Sequence, residues 1–398
     1  MRFAMVTTFY PPYHFGGDAM YVYRLTNELA RRGHEVTVVH SVDAFELLGG
    51  AAPAAAFPHE PGVTLRPIAR GRAAPLVTYL SGRAGLNARP LREALAAGFD
   101  VVHFHNVSLV GGPDTLAYGS GVKLYTMHEH WLVCPMHVLW KLDREPCVEP
   151  TCLRCTLAFR RPPQLWRYGS LLDRRAREVD LFLAPSRFTL EEHRRRGFDR
   201  PMRHLPGFLP AREAPPAAAA EHERPYFLFV GRLERIKGVE ILLDAFHDHR
   251  DADLLIAGEG AHGRVLRAAA AGLPNVRFLG WVHPAELARL YAGAVAVLVP
   301  SVGYETFGGV VLEGFARRTP AIVHDLGALP ELVEESGGGL VYRTGEELRA
   351  ALRRLQDDAG GRAELGERGH DAWLRLWSEE PHVTGYFSAI EEARGSRG

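Results

Sequence analysis

The chain has 398 residues, of which 46% are hydrophobic and 24% charged, and its Lys plus Arg (47) equals its Asp plus Glu (47). That length exceeds one ordinary core and suits two domains, and the composition excludes disordered and fibrous classes. The balanced charge gives no global field to draw nucleic acid, and no apolar run reaches the ~18 residues a membrane span needs.

Phe3-Ala4-Met5-Val6 is too short for a signal peptide and leads straight into a loop, so a cytoplasmic protein is expected. Phe3 to Phe9 reads as a short buried strand stopped by Pro11-Pro12. Asp18 to Arg32 then shows helical spacing, with Val22, Leu25 and Leu29 on one side and Gly33 where a C-cap glycine belongs. "HEVTVVH" (34–40) completes a strand–helix–strand unit, and "DVVHFHN" (100–106), "KLYTMHE" (123–129) and "DLFLAPS" (180–186) are further strands. The stretch 205–225 is rich in Pro and Ala, has little periodicity and reads as a linker. After it the alternation restarts with "YFLFVGRL", "ADLLIAGEG", "VRFLGWV", "AVAVLVPS", "PAIVHD" and "GGLVY".

Apolar strands alternating with helices imply parallel sheets covered on both faces. The expected fold is therefore α/β, with two doubly wound, Rossmann-like parallel-sheet domains facing across a cleft. The expected boundaries are an N-terminal domain over 1–205 with a Cys-rich insert at 130–165, a linker at 206–224 and a second domain over 225–377. A terminal helix follows over 378–398; its docking site stays open, with a return to the N-terminal domain as one option.

In open parallel sheets ligands bind beyond the carboxyl ends of the strands. "AVAVLVPS" delivers the chain to such an end, Glu305 sits in the turn, and a helix is expected to start at Gly308-Gly309. Glycine costs a helix interior about 1 kcal/mol relative to alanine, so two at its start suggest close approach of a bulky anion such as phosphate to the first amides. Glu313 lies too far along for that phosphate and suits hydroxyls of a neighbouring group such as a ribose. In "GRLERIKG" (231–238), Arg232 and Lys237 offer a forked and a point charge to a diphosphate.

Together, "GRLERIKG", "AGEG", "FLGWV", "PSVGYETFGGVVLE" and "GALPELV" resemble the nucleotide-sugar domain of the retaining glycosyltransferases of family 4, which have the GT-B fold. "FYPPYHFGGDAMYVYRLTNELARRGHEVTVV", "DVVHFHN" and "TMHEHW" resemble its N-terminal domain, so the likeness spans about residues 1 to 390. The resemblance implies that Arg232 and Lys237 neutralise the donor's diphosphate, and that Glu305 holds its sugar hydroxyls. By the same resemblance the amides of Phe307, Gly308, Gly309 and Val310 lie near sugar and phosphate, Glu313 binds ribose, and Val282 flanks the base. Gly16 and Gly17 would approach the diphosphate, and His128 the reacting carbon. The implied reaction is glycosyl transfer from a nucleoside diphosphate sugar with retained configuration, UDP-sugar being preferred over GDP- or ADP-sugar, to an acceptor the sequence does not identify. No Mg²⁺ is expected for catalysis, because Arg and Lys supply the charge. A nucleotide-sugar epimerase of the same fold and a non-catalytic, metal-organised binding module are the alternatives.

Other signals are weaker. "DAD" (251–253) imitates a metal triplet but precedes its strand and so lies at the wrong end of the sheet. No G-x-G-x-x-G follows the first strand, which argues against a dehydrogenase. His103 and His105 point to one face of their strand, one of them as an ordinary packed histidine. Arginines crowd residues 154–196, either as solvated helix faces or as a peripheral membrane or acceptor contact. All four cysteines, Cys134, Cys147, Cys152 and Cys155, fall within one insert, and the Cys-x2-Cys spacing suggests a structural Zn²⁺ site. Inert or paired thiols and a redox or iron–sulfur role are the other readings.

Overall fold

The computed structural model describes residues 1–50 and 57–397. In chain order the strands are β1 (Arg2–Val6), β2 (Glu35–Ser41), β3 (Val63–Ile68), β4 (Val101–Phe104), β5 (Val122–Thr126), β6 (Trp140–Lys141), β7 (Glu145–Pro146), β8 (Leu181–Ala184) and β9 (Met202–His204). The second half adds β10 (Tyr226–Val230), β11 (Asp253–Ala257), β12 (Val276–Gly280), β13 (Val297–Val299), β14 (Ala321–His324) and β15 (Gly339–Tyr342).

The chain divides into two compact units. The first holds Met1–Asp143, Val148–Pro206 and Val383–Gly398, and the second holds Arg144–Cys147 and Gly207–His382. The first unit's sheet has seven strands in the order β3-β2-β1-β4-β5-β8-β9, all pairings parallel. The second unit's sheet has six, ordered β12-β11-β10-β13-β14-β15 and again all parallel. In both sheets the order reverses beside the unit's first strand, at β1/β4 and at β10/β13. Right-handed crossovers on either side of such a reversal cover both faces with helices and open a crevice at the strands' carboxyl ends.

The local reasons are visible in the sequence. Helix Gly17–Arg31 buries Val22, Leu25 and Leu29 completely. It stops at Gly33, whose φ is 83° and whose N–H donates to Ala30 O, while His34 N–H reaches back to Leu29 O. Glycine carries that left-handed turn without a Cβ clash, and β2 can begin immediately after it. The central strands are apolar on both faces because both faces are covered, as the adjacent buried pairs Val101-Val102, Phe227-Leu228 and Leu254-Leu255 show.

Residues 207–214 are not a loose tether. Leu209 N–H donates to Trp377 O, Trp373 Nε1–H donates to Leu209 O, and Leu209 and Ala214 join the core formed by Val311, Phe315 and Trp373. The C-terminal helix Glu379–Gly395 contributes its residues from Val383 onward to the first unit. There Tyr386 is buried, its ring stacks on His103 and its hydroxyl lies 3.0 Å from His103 Nδ1. Among the described residues no helix is long and apolar enough to cross a membrane.

Candidate active site

In the second unit the loops after β10 and β13, the two strands at the reversal, meet. Lys237 ends the short 3-10 turn Arg235–Lys237, and its Nζ lies 2.6 Å from Glu305 Oε1. Gly238 makes that approach possible. Its φ is 67°, and a Cβ there would fall 2.2 Å from Pro300 O, so only glycine lets the first loop lie against the end of β13. Ser301 Oγ–H also donates to Glu305 Oε1 at 2.6 Å, and Ala328 N–H donates to Glu305 O. The carboxylate is thus held by Lys237 and Ser301 and the backbone by Ala328, and the side chain is about 22% exposed. Burial alone would raise its pKa; the charge and hydrogen bond of Lys237, the Ser301 hydroxyl and the charge of Arg232 outweigh it and hold the group below its ordinary value. Glu305 is therefore a fixed anion at neutral pH.

Arg232 follows β10 but does not share that geometry. Its Nη1 pairs with Glu234 at 2.8 Å, and more than half of the side chain is exposed.

Helix Gly309–Phe315 begins after Gly308, and Val311 N–H makes an early closing bond, to Gly308 O. The two glycines differ. A Cβ on buried Gly308 would lie 2.7 Å from Leu332 Cδ1, so that side chain would have to shift to admit one. Gly309 is exposed and has nothing within 4 Å of a would-be Cβ. The open approach to the backbone is therefore at Gly309 and Val310. Phe307 turns its ring inward, against the core and close to Gly207.

Glu313 projects from the same helix. Its Oε2 accepts from the Tyr291 hydroxyl at 2.7 Å. Tyr291 is buried, its hydroxyl kept protonated by burial first and by the Glu313 charge second. Val282 packs into the apolar cluster that contains Tyr291. Tyr291 therefore links the candidate ribose and base contacts, although it lies in "LARLYAG" with no motif to mark it. Ser301 was likewise not singled out by sequence.

In the first unit, Gly16 is the extended N-cap of helix Gly17–Arg31. A side chain on Gly17 would meet nothing within 4 Å, and one on Gly16 would meet only Asp18 Oδ1 at 3.9 Å. Neither packing nor positive φ demands these glycines. His128 follows β5 and is half-buried. Its Nε2 lies 3.0 Å from Nδ1 of buried His105, and its ring meets Tyr21 edge-on at 4.7 Å. His103 lies behind, 4.0 Å from the His105 ring, with Nε2 2.8 Å from Thr126 Oγ1. Burial, then the neighbouring His103 and His128, push the His105 pKa well down, so that ring is neutral. His103, buried and bonded on both ring nitrogens, is a packed histidine as the sequence suggested, while His105 reaches His128.

The expected zinc site is not assembled. Among the described residues no group of three or more His, Cys, Asp or Glu side chains is arranged to hold a metal ion. Cys147 falls in the stretch that belongs to the second unit, whereas Cys134, Cys152 and Cys155 belong to the first. Burial pushes the Cys134 thiol up, away from thiolate, and Cys155 Sγ accepts from Leu142 N–H at 3.3 Å. None of the four is disulfide-bonded. Sequence clustering brings them near one another in the chain, but a tetrahedral site also needs four ligands that converge in space. Asp253 of the "DAD" triplet opens β11 and is buried against His222, Arg224 and Arg277, a structural ion cluster.

Two doubly wound sheets, the second with a half-buried carboxylate–lysine pair at its topological switch point, define a Rossmann-type protein of the GT-B class. Residues 15–210 match the family described as Glycosyltransferase Family 4, and residues 224–358 match Glycosyl transferases group 1. The chain belongs to glycosyltransferase family 4. It is 35% identical over 150 residues to an uncharacterized glycosyltransferase of Methanocaldococcus jannaschii, covering 36% of this chain and 38% of that protein. It is 31% identical over 159 residues to a D-inositol 3-phosphate glycosyltransferase of Corynebacterium kroppenstedtii, covering 36% and 35%. The chain thus spans little more than a third of the length of these two relatives. A match to glycogen synthase of Mycobacterium tuberculosis is longer, 28% over 412 residues, covering 95% of this chain and 91% of the other. Among solved structures, sucrose-phosphate synthase from Thermosynechococcus elongatus superposes with TM-score 0.76 at 19% identity, covering 99% of both chains. An Anabaena protein, HepE, in complex with UDP superposes with TM-score 0.69 at 16% identity, covering 98% of this chain and 100% of that one. These likenesses carry the GT-B fold.

Proposed function

We propose that the protein is a retaining glycosyltransferase that moves a glycosyl group from a nucleoside diphosphate sugar to an acceptor hydroxyl. The observation that carries this reading is the Lys237–Glu305 pair at the β10/β13 reversal. A carboxylate kept ionised at a strand end suits sugar hydroxyls, and the ammonium beside it suits the diphosphate. Departure of a nucleoside diphosphate develops negative charge on the leaving group and positive charge on the sugar carbon. Lys237 stabilises the first, with Arg232 swinging from Glu234 and the open backbone at Gly309 and Val310 as further donors. Glu305 accepts from the sugar's hydroxyls and orients the ring. Glu313, set by Tyr291, accepts from the ribose hydroxyls, and Val282 borders the base.

Gly16 and Gly17 are best explained by a ligand that comes close to the backbone, since nothing in the protein requires them. His128, braced by His105, contributes a polar edge at the sugar carbon. Family membership supports retention, and a UDP-sugar is the preferred donor because HepE was solved with UDP and with UDP-glucose.

Calorimetry of UDP, GDP and ADP tests the donor, and product analysis by NMR in the presence and absence of candidate acceptors tests the transfer. Tight UDP binding and an acceptor-dependent product with the donor's anomeric configuration are expected. An inverted product removes retention, and interconversion of the nucleotide sugar without an acceptor makes the protein an epimerase.

A further inference from the structure

One face of the first unit is both apolar and basic. Helix Ala73–Ser81 turns Tyr79 inward, where its hydroxyl donates to Pro162 O at 3.0 Å and its carbonyl accepts from Trp166 Nε1–H at 2.9 Å. Trp166 also closes over Gly82, where an added Cβ would lie 2.5 Å from its ring. These contacts join the helix, the following turn Gly85–Asn87 and the turn Leu165–Tyr168 into one surface. Its outward side chains are Leu76, Val77, Leu80, Leu86, Leu165 and Tyr168, each between 40% and 69% exposed. Single exposed leucines need no explanation, but six large apolar side chains on adjoining turns do.

The charge around them is mostly positive, with Asp114, Asp173 and Asp199 nearby. Residues 61–92 contain six arginines and no carboxylate, and residues 150–172 contain four arginines and no carboxylate. Beside Tyr168 a cavity of about 340 Å³ is lined by Arg167, Arg196 and Arg200 together with Asp173 and Asp199. Arg167 lies between the rings of Trp131 and Trp166, 5.2 and 4.7 Å from their centroids, and its buried Nη2 has no hydrogen-bond partner. A desolvated guanidinium with an unsatisfied nitrogen is costly unless an anion meets it. Some of these arginines are paired, Arg83 and Arg175 with Asp114, Arg89 with Glu93, Arg177 and Arg200 with Asp173, and largely buried Arg196 with Glu192.

We propose that this face is a docking surface for an anionic lipid bilayer, with the aliphatic and tyrosine side chains entering the interfacial layer and the arginines meeting headgroup phosphates. Aliphatic projections ringed by arginine, with an aromatic at the boundary, match such a layer, in which apolar insertion and attraction to anionic lipid add. The inference concerns the first unit's surface and does not depend on the catalytic reading.

The test is sedimentation of the full chain with vesicles of phosphatidylcholine alone or with added phosphatidylglycerol, at low and high salt. Wild type should pellet with the anionic vesicles and much less with the neutral ones. The double variant L76S/L80S should lower the partition coefficient on the order of tenfold, and R72Q/R83Q should lower it comparably at low salt. Circular dichroism and the thermal midpoint identify any variant that has lost its fold, in which case L165S/Y168S replaces it. Failure of wild type to pellet with anionic vesicles overturns the proposal. So does equal pelleting with neutral vesicles, or leucine variants that pellet like wild type. Concentration-dependent self-association without vesicles that L76S/L80S abolishes also overturns it, since the face would then belong to a second copy.

Discussion

Lys237 Nζ lies 2.6 Å from Glu305 Oε1, tying the loop after β10 to the loop after β13 where the second sheet reverses its strand order. In the absence of substrate each group satisfies the other. On the proposed function a nucleoside diphosphate sugar would divide them, the ammonium turning to phosphate and the carboxylate to hydroxyls, so neither group waits in the site as an unpaired charge.

Glu305→Gln is expected to keep the fold and lower turnover by about a hundredfold or more, corresponding to roughly 3 kcal/mol of lost transition-state stabilisation. Steady-state kinetics with the identified donor checks this. Turnover near wild type would place Glu305 outside the chemistry.

Lys237→Ala leaves the Glu305 carboxylate half-buried without its main counter-charge. A stability loss of about 1–2 kcal/mol is expected at neutral pH, moderate because both side chains keep some exposure. In wild type the carboxyl is held below its ordinary value of 4.5, so its contribution is present above that value and is lost as pH falls through the folded-state value. Denaturant titrations should show the gap between wild type and variant closing as pH falls below about 4.5. A constant gap across that range would mean that the pair contributes no charge-dependent stability.

Tyr291→Phe should separate ribose from phosphate recognition. Loss of the hydroxyl that orients Glu313 should weaken uridine and UDP binding by a similar factor, about 3- to 10-fold for one hydrogen bond. Lys237→Ala should weaken UDP far more than uridine. If Tyr291→Phe affected UDP alone, Glu313 would not be a ribose contact.

His105→Phe preserves ring volume but removes the nitrogen 3.0 Å from His128 Nε2. The expected result is a fall in kcat of about tenfold with little change in donor KM, since His105 acts through His128. In ¹⁵N spectra the His128 ring should change its tautomer balance. An unchanged His128 spectrum would remove the bracing role.

The first unit should be acid-sensitive well above the carboxylate range. Burial pushes both His40 and His193 down to about 4, from an ordinary value of 6.5. Between these values the unfolded chain binds protons that the folded chain refuses, so stability falls as pH falls, by about 1.4 kcal/mol per pH unit for each histidine. His40→Gln should flatten that slope. An identical slope in the variant would assign the acid sensitivity elsewhere.

The strands that build the switch points were legible as apolar runs because parallel strands covered on both faces cannot be anything else. β3 and β9 were not read as strands. β3 is a largely exposed edge strand containing Pro67, and β9 has three half-buried residues, so neither carries the apolar signal that burial imposes. Glu305, Lys237 and Glu313 could be named from motif spacing because Glu305 and Lys237 lie in loops that follow strand ends and Glu313 lies on the helix after one of them.

What sequence could not supply was pairing. Spacing along the chain does not say that Lys237 meets Glu305 across 68 residues, that Tyr291 meets Glu313 across 22, or that His105 meets His128 across 23. Nor does it say that Gly308 packs against Leu332 while Gly309 faces open space. The cysteines show the converse, close in sequence yet not arranged as a metal site. Composition and periodicity determined the doubly wound architecture, because hydrophobic burial acts on local pattern. Only the tertiary structure decided which polar atoms share a site, because a hydrogen bond or ion pair needs contact within about 3 Å and chain distance does not measure that.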